Sequence, residues 1–173
     1  RGQFNNLLVQ NNIFNANADD GMFVNVAGAS QGNALNLRPD SMNVNINDFT
    51  SNGGDGIEFR LEADADLLAN LDQNVITGNG EDGIYVSENI NDARDSRSLT
   101  GAWTRNNISS NTYSGIQIQS RVGNSANDLV EPGMGLIIGS TTINPIGTLS
   151  SMGNVIRNNR LDGVQFTGVG VMS

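Results

Sequence analysis

A thirteen-residue pattern occurs five times along this chain with no gap inside any copy, and such recurrence leaves few architectures open. The copies are NIFNANADDGMFV from Asn12, NDFTSNGGDGIEF from Asn47, NVITGNGEDGIYV from Asn74, NNISSNTYSGIQI from Asn106 and NVIRNNRLDGVQF from Asn154. As a rule they read Asn-x-apolar-x-x-Asn-x-x-(Asp/Ser)-Gly-apolar-x-apolar, and all five obey it. A unit this short cannot bury an apolar face alone, so the copies must stack on one another.

The residues after the repeat glycine alternate as a half-buried strand does: Met22/Val24, Ile57/Phe59, Ile84/Val86, Ile116/Ile118 and Val164/Phe166 are apolar around a variable residue. A second apolar position follows the first Asn by two residues (Phe14, Phe49, Ile76, Ile108, Ile156). A third precedes that Asn by three (Val9, Val44, Leu71, Trp103), and Ser151 breaks it in the last copy. Three short strands per copy, coiling the same way, predict a right-handed parallel β-helix, an all-β solenoid of five to six rungs about 20–25 Å long. The Asn and Gly corners are expected to take up the left-handed backbone that sharp bends need. A helical reading fails because no window sustains a 3.6-residue period and Gly is too frequent.

The repeat glycines stand at 21, 56, 83, 115 and 163, so their spacings are 35, 27, 32 and 48. The differences fall in residues 25–43, 61–70, 87–102 and 119–150, which places insertions at one corner of the coil, where loops on a rigid scaffold form binding sites. The last spacing leaves room for a degenerate extra rung around Gly135–Gly139. The chain is expected to be one domain over residues 1–173 and, starting at Arg1 without Met, a piece of a longer β-helix. Further rungs or domains of the same polypeptide are then the expected neighbours at both ends, because open sheet edges invite pairing.

Composition narrows the chemistry. Nine arginines, no Lys, no His and 18 acidic residues give a net charge of −9, which argues against nucleic acid, whose phosphates need clustered positive charge. Without His, Lys or Cys there is no imidazole base, no Schiff-base amine, no thiol nucleophile and no disulfide. No apolar run reaches the length of a membrane span, so membrane insertion is not expected.

The stretch GLIIGSTTINPIGTLSSMGNVIRNNRLDGVQF resembles the IGG-T…GNVISGN…DGV pattern of parallel β-helix repeat proteins in the pectin-lyase-like superfamily, with a longer insertion after Gly139. The likeness covers residues 7–168. It implies the β-helix fold, and for function it implies a range from polysaccharide lyases, galacturonan hydrolases and alginate epimerases to tailspikes and surface proteins. The DDG and EDG triplets resemble the acidic pairs of galacturonan hydrolases, but the His motif that accompanies them there cannot exist in this chain.

Stacked rungs turn each motif position into a column spaced by one strand separation. The two Asn columns, 12/47/74/106/154 and 17/52/79/111/159, are expected to form amide ladders. The position before the glycine is an acidic column of Asp20, Asp55, Asp82, Ser114 and Asp162, whose like charges repel by roughly 0.9 kcal/mol per pair in bulk water and about four times that at an effective dielectric of ~20. Either solvent and backbone amides of each turn relieve this, or a hard cation such as Ca²⁺ sits among Asp20, Asp55 and Asp82 with Asp19 and Glu81 adding oxygens. No cofactor is required; Ca²⁺ is the candidate.

The outward face of the post-glycine strand reads Phe23, Glu58, Tyr85, Gln117, Gln165 in one column and Asn25, Arg60, Ser87, Gln119, Thr167 in the next. In the sugar-active relatives that the resemblance implies, polysaccharide lies on this face. Phe23, Asn25, Glu58, Arg60, Tyr85, Gln117 and Gln119 are the candidate carbohydrate-binding residues, against the alternative of a merely solvated strand face. DARDSR at 92–97 is expected to be a charged solvated loop, with Arg94 and Arg97 able to clamp an anion. Trp103 is expected to plug the core rather than present a sugar platform. With no complete catalytic set, the expected function is a non-catalytic extracellular or cell-surface module, a rigid scaffold or spacer that binds polysaccharide. The alternative is a Ca²⁺-dependent lyase or epimerase acting on uronate polymers, with Arg60 at the reacting carbon.

Overall fold

The computed structural model describes residues 4–27, 40–62, 65–89, 98–121, 134–138 and 153–169. Its strands in chain order are β1 (Leu7–Gln10), β2 (Ile13–Asn15), β3 (Met22–Ala27), β4 (Asp40–Asn45), β5 (Asp48–Thr50), β6 (Ile57–Glu62), β7 (Asp66–Asp72), β8 (Val75–Thr77), β9 (Ile84–Asn89), β10 (Ser98–Thr104), β11 (Asn107–Ser109), β12 (Ile116–Arg121), β13 (Met134–Ile138), β14 (Val155–Arg157) and β15 (Val164–Val169). They form three five-stranded parallel sheets, β1-β4-β7-β10-β13, β2-β5-β8-β11-β14 and β3-β6-β9-β12-β15. Every third strand is a neighbour, so the chain coils as a right-handed parallel β-helix of five rungs.

The expected columns are in register. Met22 pairs with Ile57, Ile57 with Ile84, Ile84 with Ile116 and Ile116 with Val164. Phe14, Phe49, Ile76, Ile108 and Ile156 align in the same way on the second sheet. These side chains point inward, and in the middle three rungs they are fully buried. Phe14 lies flat on Phe49 with ring centroids 4.7 Å apart, the spacing of the rungs themselves.

Trp103 is buried and fills the core as expected. Its ring approaches Phe59, two rungs earlier, at 6.2 Å, with the small Ala69 and Val86 of the intervening rung also buried, and its indole N–H donates to the Ala69 carbonyl at 3.1 Å. The same carbonyl explains Gly101, which lies at φ +143°, and whose side-chain position would fall 1.9 Å from that oxygen.

Both Asn columns are ladders, and richer ones than a chain of single amide bonds. Each Oδ1 from the second rung onward accepts from the Asn of the preceding rung twice, once from Nδ2 (2.8–3.2 Å) and once from the main-chain N–H (2.9–3.2 Å). Each Nδ2 from the second rung onward also donates to a main-chain carbonyl of the preceding rung, as Asn74 does to Val44 and Asn79 to Phe49. The amides thus serve corner groups that no sheet reaches.

Three details depart from expectation. Nearly all the left-handed residues are not the motif Asn or Gly but those just before nine of the ten ladder Asn: Asn11, Ala16, Ile46, Ser51, Gln73, Gly78, Arg105, Ser110 and Asn158 all have φ between 55° and 68°. The corner must bend before the amide turns inward, and the Asn bonds offset a cost of roughly 1–2 kcal/mol at each L residue so placed. The repeat glycine answers to crowding instead: a Cβ on Gly83 would sit 2.5 Å from the Gly115 carbonyl and 2.7 Å from Asn111 Nδ2. Finally, the stretch around Gly135 is no sixth rung. As β13 it pairs with β10 and supplies the first strand of the fifth rung, in the place where Ser151 breaks the motif. Most length variation joins the third strand of a rung to the next rung, but residues 139–152 connect β13 to β14 within the last one.

Replacing Asn79 by Ala should cost about 3 kcal/mol, because it orphans buried donors on Asn52 and the carbonyl of Phe49. The same change at Asn17, exposed on the first rung, should cost about 1 kcal/mol or less. Urea unfolding of the two variants measures the difference, and equal costs would contradict the ladder account.

Candidate functional site

The outward face of the sheet β3-β6-β9-β12-β15 carries the residues singled out for ligand binding, and strand pairing aligns them. Phe23, Glu58, Tyr85, Gln117 and Gln165 form one row, and Asn25, Arg60, Ser87, Gln119 and Thr167 form the next. Neighbouring rungs are tied across the rows. Tyr85 Oη donates to Gln119 Oε1 at 2.6 Å, and Asn25 Nδ2 donates to Glu62 Oε1 at 3.3 Å. Arg60 stands 4.9 Å over the ring of Phe23 and donates to Glu58 Oε1 at 2.9 Å. Phe23 remains half exposed and Arg60 partly so, giving a ring with a cation beside it and amides further along.

Glu58 behaves differently from its row. It is buried to 8% exposure and brings its carboxylate to the corner, where one oxygen each from Asp20, Asp55 and Glu58 lies within 4.8 Å of the others. Burial raises the Glu58 carboxyl above its ordinary value; the Arg60 guanidinium pulls it down and the Asp20 carboxyl pushes it up. The sequence places Glu58 only on the strand face, and the missed signal is its length. A Glu two residues past the glycine of the second rung reaches back over the corner to Asp20, where an Asp would not.

The acidic column is a ladder in its own right, built with opposite polarity to the Asn columns. Asp20 Oδ1 accepts from the Asp55 N–H at 2.8 Å, Asp55 Oδ1 from the Asp82 N–H at 2.7 Å, and Asp82 Oδ1 from the Ser114 N–H at 2.6 Å. The amides that satisfy these oxygens therefore come from the next rung, not from each residue's own turn. Glycines admit the close packing: a Cβ on Gly54 would lie 2.4 Å from Asp20 Oδ1 and 2.8 Å from Asp19 Oδ1. At Ser114 the column loses its charge, and the buried Oγ has no partner.

Burial dominates the electrostatics here. Asp55, only 3% exposed, has its carboxyl pushed from 3.8 up to about 8 by desolvation; the bond from the Asp82 N–H opposes this, and the charges of Asp82, Asp20 and Glu81 add to it. Asp82 rises to about 6 by desolvation, opposed by the Ser114 N–H and assisted by Glu81. Of the five carboxylates expected to surround a cation, Asp20 and Asp55 come together with Glu58. Asp82 sits one rung on, and Asp19 and Glu81 are exposed at the rim. Arg94 and Arg97 lie outside the described residues.

No family model, curated protein or solved structure matches the chain. Among the described residues no helix is long and apolar enough to cross a membrane.

A carboxyl whose folded pKa is raised stabilises the fold while protonated, and that contribution is lost as pH climbs from the unfolded value toward the folded one. For Asp55 this window runs from 3.8 to about 8, and for Asp82 from 3.8 to about 6. The melting temperature should therefore fall between about pH 4 and pH 8 and level off above, and Asp55→Asn should flatten the upper part of that decline while keeping the acceptor for the Asp82 N–H. A wild-type profile that rises toward pH 9 in calorimetry would contradict the burial account.

Proposed function

We propose that this chain is a non-catalytic β-helix module of an extracellular or cell-surface protein, a rigid spacer that binds polysaccharide along the face of β3, β6, β9, β12 and β15. One observation carries the reading: two outward rows of aromatic, amide and guanidinium groups run parallel to the solenoid axis at a constant step, tied to one another across rungs. A hydrated sugar chain offers apolar ring faces and hydroxyls at short regular intervals, which Phe23 and Tyr85 can stack on and Asn25, Gln117 and Gln119 can bond. Cross-linked rows lose little side-chain freedom on binding, which favours a shallow open face as a recognition surface. Arg60, held by Glu58 and Phe23, suits an acidic sugar better than a neutral one.

Titrating acidic and neutral polysaccharides against the chain in affinity electrophoresis should show retardation, strongest with uronate polymers. Tyr85→Ala and Phe23→Ala should each weaken it roughly ten-fold, and Arg60→Ala should remove the preference for acidic polymers. Retention of full binding by all three variants would exclude this face.

The carboxylate cluster favours a second function, a Ca²⁺-dependent lyase or epimerase on uronate polymers. Oxygens of Asp20, Asp55 and Glu58 within 4.8 Å of one another suit an ion that takes its ligands at about 2.3–2.6 Å, and each Asp keeps one oxygen clear of its backbone bond. Bound there, Ca²⁺ would neutralise the cluster and acidify the proton beside a uronate carboxylate. Arg60 next to the cluster would orient that carboxylate. Ca²⁺ should then raise the melting temperature, more at pH 9 than at pH 6 because it competes with the Asp55 proton, and Glu58→Gln should abolish the rise. Absorbance near 235 nm during incubation with pectate or alginate reports a lyase product; no thermal response to Ca²⁺ and no absorbance change would leave the module as a binder.

A further inference from the structure

The sequence contains two Asn-Gly pairs, Asn52-Gly53 and Asn79-Gly80, and both fall in the second Asn ladder, on adjacent rungs. The fold demands the glycines: a Cβ at Gly53 would lie 2.3 Å from the Ala18 carbonyl oxygen, and one at Gly80 would lie 2.1 Å from that of Gly53. It demands the asparagines as well, because each is a ladder amide. Packing thus brings together the dipeptide in which a main-chain nitrogen most readily attacks a side-chain amide, since no side chain on the following residue crowds the approach.

The reaction is a cyclisation. The Gly53 nitrogen, its proton taken by hydroxide, attacks Cγ of Asn52; the Cγ–Nδ2 bond breaks and the amide nitrogen leaves as ammonia. Water then adds to one of the two carbonyls of the resulting succinimide and opens the ring. The product is either an aspartate or an isoaspartate, whose main chain runs through the former side chain. The same steps apply at Asn79 and Gly80.

In the folded coil every participant is held away from this path. Gly53 N–H donates to the Asn17 carbonyl at 2.9 Å, and Gly80 N–H donates to the Asn52 carbonyl at 2.8 Å. Asn52 Oδ1 accepts from the N–H and Nδ2 of Asn17, and its Nδ2 donates to the Phe14 carbonyl and to Asn79 Oδ1. Asn79 is held in the same way between Asn52, Phe49 and Asn111. Both residues are sealed from water, at 2% and 0% exposure. Cyclisation therefore has to wait for these rungs to open.

The products cannot take the amide's place. A carboxylate has no proton to give the Phe14 or Phe49 carbonyl, and it sets a negative charge against the next Oδ1 in a buried corner. Isoaspartate adds a main-chain atom where the register is set. The two sites are coupled, since Gly80 donates to the main chain of Asn52, and distortion at the first frees the attacking nitrogen of the second.

We propose that Asn52 and Asn79 are deamidation sites exposed only in the unfolded chain. A formed coil then preserves the amides that fix its register, while a chain left open loses the capacity to form it. This rests on the ladders alone and is independent of polysaccharide binding.

Incubating the chain at pH 8 in guanidinium chloride and in plain buffer, followed by peptide mass spectrometry and refolding on dilution, tests it. In denaturant both sites should convert with release of ammonia, and the refoldable fraction should fall at the same rate. In buffer their conversion should be at least roughly a hundred-fold slower. Asn111, in the same column but followed by Thr112, should convert far more slowly than either in denaturant. The loss of refolding should slow at pH 6, which separates it from isomerisation at the Asp-Gly pairs, because that reaction expels water from a protonated carboxyl and quickens as pH falls. Chains converted at either site, isolated by anion exchange, should unfold at lower urea than the parent or fail to refold. Conversion in buffer at the denaturant rate overturns the proposal. So does conversion of Asn111 as fast as of Asn52, a loss of refolding that quickens at pH 6, or an isolated converted chain with an unchanged urea midpoint.

Discussion

The constraint on which the structure depends is the side-chain amide shared between rungs. A parallel coil built from short strands leaves corners whose main-chain groups no sheet can pair, and unpaired groups in a buried corner are costly. One Asn solves this in both directions, since its oxygen takes the preceding Asn's main-chain N–H and side-chain amide while its nitrogen reaches a carbonyl of that same preceding rung. Two such columns lock the register along the whole axis. Once the register is locked, apolar residues need only be present at the right step, and small aliphatics with a few stacked rings are enough to fill the core.

The third polar column meets the same geometric demand with a charged group, and the outcome is different. An Asp can accept from the next rung but has nothing to donate, so its charge is stacked on its neighbour's without relief. Burial then favours the protonated form, most strongly at Asp55. Amide columns stabilise the coil without regard to pH, whereas the acidic column couples it to protons. The cost is concentrated next to the outward face at the point where Glu58, Arg60 and Phe23 meet, so the chemically richest part of the surface is also its least comfortable part.

A ladder has a direction, and a repeat protein carries that direction to its ends. In the middle of the coil each rung's donors and acceptors cancel against its neighbours, leaving a sheath of ordinary polar side chains.

The period of the motif, its alternation and its Asn and Gly positions were enough to read the parallel coil, its inward columns and both amide ladders, because each of these follows from one residue lying over its equivalent a rung away. The plugging role of Trp103 was legible for the same reason: it replaces an aliphatic in an inward column. What the fifth rung uses as its first strand was not legible, since residues 134–138 lie far from the motif and only pairing with β10 identifies them. Nor was the left-handed backbone at Ile46, Gln73 or Arg105, where the bend is imposed by the inward turn of the following Asn and not by any preference of the residue itself. The carboxylate cluster belongs to tertiary structure most completely. Asp20 and Asp55 share the acidic column, but Glu58 belongs to the strand-face row, and it joins them only because that strand face lies within a glutamate's reach of the corner, a distance that no local pattern encodes.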